Sequence, residues 1–305
     1  MKRRDFIQKT SAGTALITLG NLSLSSFTTS SEIKKITILH TNDVHSHIDP
    51  FGPEDGRNAN KGGVARRASL IESIRKENPN TLLLDAGDIF QGTPYFNYYG
   101  GELEFKLMSM LKYDAATIGN HDFDNGVNGL YAQLPHAKFE FISSNYNFSN
   151  TVMDTHVKPY KIFIKEGIKI GIFGLGIELE GLVDKLNYKE TKYLDPIEIS
   201  QEMTRILKTE EKCDLIICLS HLGYNYKNET DKISDLKLAE STKDIDLIIG
   251  GHTHTFLKKP TIVKNIEGNN MLVNQVGCYG INLGRIDFYF DSSKNVSANG
   301  TSIIV

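Results

Sequence analysis

Five short apolar runs of this 305-residue sequence each lead into His, Asp or Asn side chains, and these types are those of metal ligands. Ile36–Leu39 leads into Asp43-Val44-His45, and Leu82–Leu84 into Asp85-Ala86-Gly87-Asp88. Ala115–Ile118 leads into Gly119-Asn120-His121-Asp122-Phe123-Asp124, and Leu215–Leu219 into Ser220-His221. Asp246–Ile249 leads into Gly250-Gly251-His252-Thr253-His254. Imidazole, carboxylate and carboxamide without thiolate suit borderline divalent ions such as Mn, Zn or Fe(II). The set is too large for one tetrahedral ion and large enough for two. Asp43/His45 and His252/His254 are i,i+2 pairs, whose members point to one side in extended backbone. Glycines at 87, 119, 250 and 251 let the chain turn sharply beside a crowded site.

The elements that must position these residues are legible as periodicity. The apolar runs, with Ile168–Leu175, are rich in Ile, Val and Leu, as strands buried on both faces should be. Amphipathic segments lie between them at Val64–Glu77, Glu102–Leu111 and Pro196–Lys208, the last opened by an Asp195-Pro196 cap. This alternation predicts an α/β layered fold with much parallel sheet, in which the carboxyl ends of the strands converge on one rim. Phe139–Ser143, Tyr160–Lys165, Thr261–Lys264, Met271–Gln275 and Ile281–Phe290 read as further strands, some antiparallel. No repeat or linker divides residues 33–305, so one domain is expected there.

In order along the chain, the motifs D-x-H, G-D, G-N-H-[ED], a later H and G-H-x-H resemble those of the calcineurin-like metallophosphoesterases, and within them the 5'-nucleotidase family. They stand here as Asp43–His45, Gly87-Asp88, Gly119–Asp122, His221 and Gly251–His254, across about 210 residues. Gly62–Arg66, Gln91–Pro94 and Gln275–Gly280 also look like the nucleotidase branch. The resemblance implies a four-layer α-β-β-α sandwich carrying two divalent ions. Asp43, His45, Asp88 and His254 would hold one ion; Asp88 as a bridge, Asn120, His221 and His252 would hold the other. His121 and Asp124 match the family's His-Asp dyad at the leaving group. Asp122 stands where Glu is commoner and is given no ligand role. Two divalent cations, the Asp43 and Asp88 carboxylates and a bridging hydroxide leave about one positive charge, suited to a phosphoryl anion. The implied reaction is hydrolysis of a phosphate monoester, nucleotides included, by in-line attack of that hydroxide. Phosphodiester or thiosulfate-ester hydrolysis on the same metals is the alternative. In full-length family members a C-terminal domain holds the nucleoside. This chain ends at Val305, so a second alternative is a catalytic subunit that needs a separate nucleotide-binding protein as its partner.

The remaining residues set the context. Residues 1–30 combine a basic start containing Arg3-Arg4, a mildly apolar stretch from Ala12 to Leu24 and a small polar end. They read as a twin-arginine-like export signal, which places residues 31–305 as the catalytic domain in a periplasm or cell envelope. Without the leader, 30 basic residues face 36 acidic ones. That balance argues against a broad basic face for nucleic acid, and no apolar run is long enough for an integral membrane span of the mature chain. Cys213, Cys218 and Cys278 read as unpaired core residues. His40 reads as a core residue or a support for the ligands, and His47 as at most such a support. His136 and His156 read as solvent-facing, and Asp85 as a brace for the turn before Asp88. Pro94–Tyr99 reads as an aromatic loop packed on the body, contacting a partner, or lining the mouth of the site. Arg66 and Arg67 are expected at the surface or in ion pairs.

Overall fold

The computed structural model describes residues 33–229, 231–293 and 296–305; the leader read over residues 1–30 lies outside them. The described chain runs β1 (Lys34–Thr41), α1 (Val64–Glu77), β2 (Thr81–Asp85), α2 (Pro94–Tyr99), α3 (Glu102–Met110), β3 (Ala115–Ala116), α4 (Gly126–Gln133), β4 (Glu140–Phe141), β5 (Tyr146–Asn147), β6 (Tyr160–Lys165) and β7 (Ile168–Leu175). It continues through α5 (Lys185–Tyr188), β8 (Lys192–Tyr193), α6 (Pro196–Arg205), β9 (Leu215–Ser220), α7 (Asp235–Ser241), β10 (Leu247–Gly250), β11 (Thr261–Lys264), β12 (Asn270–Asn274), β13 (Asn282–Phe290) and β14 (Val296–Ile304).

Two six-stranded sheets form, in the orders β14-β13-β1-β2-β3-β4 and β11-β12-β10-β9-β7-β6. Strands β1 to β4 pair in parallel, as do β7, β9, β10 and β12, while the flanking strands run antiparallel. Strand period 2 divides the apolar side chains between layers. Ile38, Leu82 and Leu84 from the first sheet meet Ile172, Ile217 and Ile249 from the second in the central core. The outward Leu39 and Leu83 pack under Ile71, Phe105 and Leu130 of α1, α3 and α4. On the far side, Phe173, Ile216 and Ile248 pack under Met203 and Leu238 of α6 and α7. Helices therefore cover the outer face of each sheet, giving the α-β-β-α layering. Because β2, β9 and β10 are buried at every position, they appear in the sequence as unbroken apolar runs.

Local signals account for most element ends. Asp195 accepts the Ile197 and Glu198 N–H groups at 2.8 and 2.9 Å, capping α6 with Pro196 at its first position. The segment expected as helix to Lys208 instead changes at Ile206 into a π turn to Glu210. Pro94–Tyr99 is a short helix and not a loop, with Phe96 buried and Tyr98 86% exposed. Strand β14 has no counterpart in the sequence reading: it is an edge strand, mostly exposed, so it carries no apolar alternation. Cys213 and Cys218 are free and buried in the core, as expected.

Candidate metal centre

The loops that follow β1, β2, β3, β9 and β10 meet at one rim and carry all seven expected ligands. Asp43, His45 and His254 offer ligand atoms within 4.8 Å of one another, and so do Asp88, His221 and His252. Asp88 reaches both groups: its Oδ2 lies 3.0 Å from His221 Nε2 and 3.7 Å from His45 Nε2. Asn120 Oδ1 stands 2.8 Å from His252 Nδ1, so it joins the second group. His45 Nε2 and His254 Nε2 are 3.0 Å apart, and His254 Nε2 is 3.4 Å from Asp43 Oδ1. Each group draws on both sheets.

Five of the seven ligands have left-handed backbone: Asp43, His45, Asp88, His252 and His254, with φ between 49° and 70°. That conformation is costly for residues with a Cβ and persists only where surroundings enforce it. It also corrects the expectation drawn from extended i,i+2 pairs. His252 and His254 are turned apart and serve different groups, because each sits in a left-handed turn and not in a pleat. Gly119 shows how crowded the turns are: a Cβ there would collide with Asp88 Oδ1.

Hydrogen bonds orient the ligands. His45 Nδ1 donates to the Phe90 carbonyl at 3.1 Å and His221 Nδ1 to the Ala86 carbonyl at 2.6 Å, which leaves both Nε2 lone pairs facing the centre. His221 Nε2 is fully buried and has no hydrogen-bond partner of acceptable geometry. An orphaned buried imidazole nitrogen among carboxylate and imidazole donors is what a divalent cation satisfies. The His252 N–H donates to both Asp43 oxygens at 2.9 and 3.1 Å. His121 N–H donates to Asp88 Oδ1 at 2.8 Å.

Charge is uneven among the imidazoles. Burial depresses His221, but the Asp88 carboxylate overcomes it and holds the ring at about 10. Hydrogen bonds to Asp43 and to Cys278 push His254 up to about 10. Burial lowers His45, and burial with the neighbouring His221 takes His252 to about 4. Asp88, although buried, is held below the usual carboxylate range by His221 and His45. His121 lies beside the centre, 5.3 Å from the His45 ring, with Nδ1 3.0 Å from Asp124 Oδ2. The bond to Asp124 raises its pKa, and both side chains reach solvent.

Other residues sit as follows. Asp122 is no ligand: its carboxylate accepts the N–H groups of Asp88, Ile89, Phe90 and Gly119. Asp85 accepts from Gly87 N–H and the Thr41 hydroxyl and braces the turn, as expected. His40 is buried between the sheets, where Asn274 Nδ2 meets its Nε2 at 2.8 Å. His156 is exposed, whereas His136 is half-buried. Arg66 is exposed, but Arg67 departs from expectation: it is 4% exposed and lies beneath Gly280, where an added Cβ would collide with its Nη1.

Sequence reasoning missed Asn42. Its Oδ1 accepts Val276 N–H at 3.0 Å, and its Nδ2 donates to the Gly277 carbonyl and Asp43 Oδ2, both at 2.6 Å. One side chain thus ties the loop after β1 to the loop after β12. Its position beside Asp43 was the available signal. Cys278 is free and buried, as expected, and it helps to raise the pKa of the ligand His254.

A sandwich of this topology with two His/Asp ligand groups at its strand ends defines a metallophosphoesterase. The sequence pattern of the calcineurin-like phosphoesterases matches residues 36–256, and the chain belongs to that family. Among curated relatives it is 34% identical to human 5'-nucleotidase over 303 residues, covering 89% of this chain and 49% of that protein. It is 33% identical to the trifunctional nucleotide phosphoesterase protein YfkN of Bacillus subtilis (strain 168), covering 88% of this chain and 19% of that protein. The crystal structure of a 5'-nucleotidase precursor from Thermus thermophilus superposes with a TM-score of 0.80 at 34% identity, over 89% of this chain and 55% of that one. The chain spans about half the length of the 5'-nucleotidases it matches.

Proposed function

We propose that this chain hydrolyses phosphate monoesters, with nucleoside 5'-monophosphates among its substrates, at a centre of two divalent ions. The observation that carries this reading is the pair of ligand groups joined through Asp88, with the His121–Asp124 pair on their solvent side. Asp43, His45, Asp88 and His254 would hold one ion and Asp88, Asn120, His221 and His252 the other, with Mn, Zn and Fe(II) all suited to the donors. When bound, such ions polarise phosphoryl oxygens and bring a water pKa near neutrality.

The chain's own residues supply the rest. Asp124 accepts from His121 Nδ1, which fixes the ring and leaves Nε2 to protonate the departing ester oxygen. The same carboxylate, by raising the His121 pKa, keeps that proton available near neutral pH. The left-handed turns at Asp43, Asp88 and His252 hold the ligands in place before substrate arrives, so little reorganisation is left for the reaction.

Residues 31–305 form the catalytic domain in this reading, and residues 1–30 direct export to the periplasm or cell envelope. Among the described residues no helix is long and apolar enough to cross a membrane.

The purified chain with Mn(II) should hydrolyse an aryl phosphate and AMP. Hydrolysis of diesters or thiosulfate esters alone would overturn the monoesterase reading. His121→Ala should lower turnover by about 10²–10⁴-fold with metal content intact; loss of the metals would reassign the residue.

A further inference from the structure

Three aromatic rings beside the first ligand group have no part in the chemistry above. His47 stacks on Phe51 with centroids 5.1 Å apart and planes 22° apart, and it lies 4.2 Å from the Tyr279 ring. Phe51 and Tyr279 are 6.0 Å apart. Tyr279 in turn sits 5.8 Å from the His254 ring and 6.0 Å from the His45 ring. The cluster therefore begins one ring away from two ligands and extends outward.

Core packing does not explain it, because all three rings are only half-buried. Tyr279 also holds a left-handed backbone, φ 62°, that glycine would adopt at less cost. Strain kept at a bulky, half-exposed residue beside a reactive centre points to a role in function. The rings are set in place by backbone bonds: Tyr279 N–H to the Asp43 carbonyl at 2.7 Å, His47 N–H to the Val44 carbonyl at 3.1 Å, and Phe51 N–H to the Lys61 carbonyl at 2.9 Å. From His47 and Phe51 an open groove of about 340 Å³ continues past Asp49, Asp55 and Tyr95. That volume accommodates a small planar ligand, and the two carboxylates disfavour a further anionic group there.

We propose that His47, Phe51 and Tyr279 form a stacking platform within this catalytic domain for the planar part of the substrate, a nucleobase or an aryl ring. Its rings are ordered before binding, so a stacking ligand loses little to reorganisation of the protein. The proposal deepens the monoesterase reading and rests on it only for the identity of the ester.

The test uses the Zn(II)-loaded full chain and saturation-transfer NMR with adenosine and with ribose. Adenosine base protons should receive saturation, ribose none. Tyr279→Leu and Phe51→Leu, on separate loops, should each weaken adenosine binding about tenfold, the size of one aromatic stacking contact. Tyr279→Phe, which keeps the ring, should restore it. The ratio of kcat/KM for AMP over glycerol 3-phosphate should fall by a similar factor in the leucine variants. Absence of adenosine saturation in the wild-type chain, or adenosine binding unchanged in both leucine variants, overturns the platform. An equal loss on both esters with adenosine binding unchanged also overturns it and assigns the rings to structure. A wild-type chain that hydrolyses neither ester overturns the monoesterase reading, while the adenosine measurement still decides the platform.

Discussion

Asp122 is the residue through which the second ligand loop can be tested without touching a ligand. Its Oδ1 accepts from Ile89 and Phe90 at 2.9 and 3.1 Å, and its Oδ2 from Gly119 and Asp88 at 2.8 and 3.1 Å. The Asp88, Ile89, Phe90 and Asp122 side chains are at most 2% exposed, so water cannot replace a lost partner. In Asp122→Asn one oxygen becomes an NH2 group, and whichever way the amide turns, two backbone N–H groups face a donor. Each buried unpaired group costs about 1–3 kcal/mol, or about 2–6 kcal/mol for the pair. Some of this is returned, since burial and then the Asp88 charge push Asp122 up to about 7, and the amide removes that repulsion. The net expectation is about 2–4 kcal/mol, a large share of the ~5–15 kcal/mol that holds a domain folded. Because Asp88 hangs on this turn, metal occupancy should fall as well. Urea unfolding and elemental analysis of the same preparations measure both. Asp122→Ala, which leaves four amides unpaired, should be worse. A loss below about 1 kcal/mol in Asp122→Asn with metal content at wild-type level would refute the reasoning.

Asp88→Asn should weaken both metal groups together, since one carboxylate faces ligands of each; elemental analysis showing selective loss of one ion would contradict its bridging position. Metal uptake near pH 7 should release about two protons, from His221 and His254. Both are held at about 10 without metal and must lose a proton to bind it. Affinity therefore rises with pH below that value, and calorimetry in buffers of different ionisation enthalpy counts the protons; a count of zero refutes the assignment. In the metal-free protein Asp235 is pushed up to about 8 by burial, and its Oδ2 has no hydrogen-bond partner. Its unfolded value is about 4, so between about pH 4 and 8 the folded chain holds a proton that the unfolded chain has released. Stability then falls as pH rises through that window, by at most about 1.4 kcal/mol per unit from this group. Asp235→Asn should remove that slope, and an unfolding free-energy difference between the two proteins that is equal at pH 5 and pH 8 would contradict it.

Much of the molecule was legible because burial on both faces leaves a plain mark in a sequence. The runs at 36–39, 82–84, 168–175, 215–219 and 246–249 became central strands, and Val64–Glu77 a helix with those bounds. Where burial is partial the mark fades. Strand β14 gains its place by pairing with β13, with little apolar surface of its own, and could not be read locally. Pro94–Tyr99 looked like a loop because its rings obscure a single short helical turn that buries only Phe96.

By itself the sequence determined which chemical groups stand at the ends of which strands, since ligand type and order are local properties of the chain. The motif order also carried the family. The family resemblance also assigned His252 and His254 to different ions, but the physical reason for that division is visible only in the tertiary structure. His252 and His254 are two residues apart, yet left-handed turns send them to different groups, an outcome that spacing in extended backbone would not predict. Tertiary structure also decided which residues act behind the ligands. Asn42 joins loops 234 residues apart in the chain, and Asp122 gathers amides from a loop more than thirty residues earlier. Such partners are set by the docking of one sheet on the other and by the crossing of loops at their shared rim. A hydrogen bond depends on distance and direction in space, and those exist only once the layers have packed.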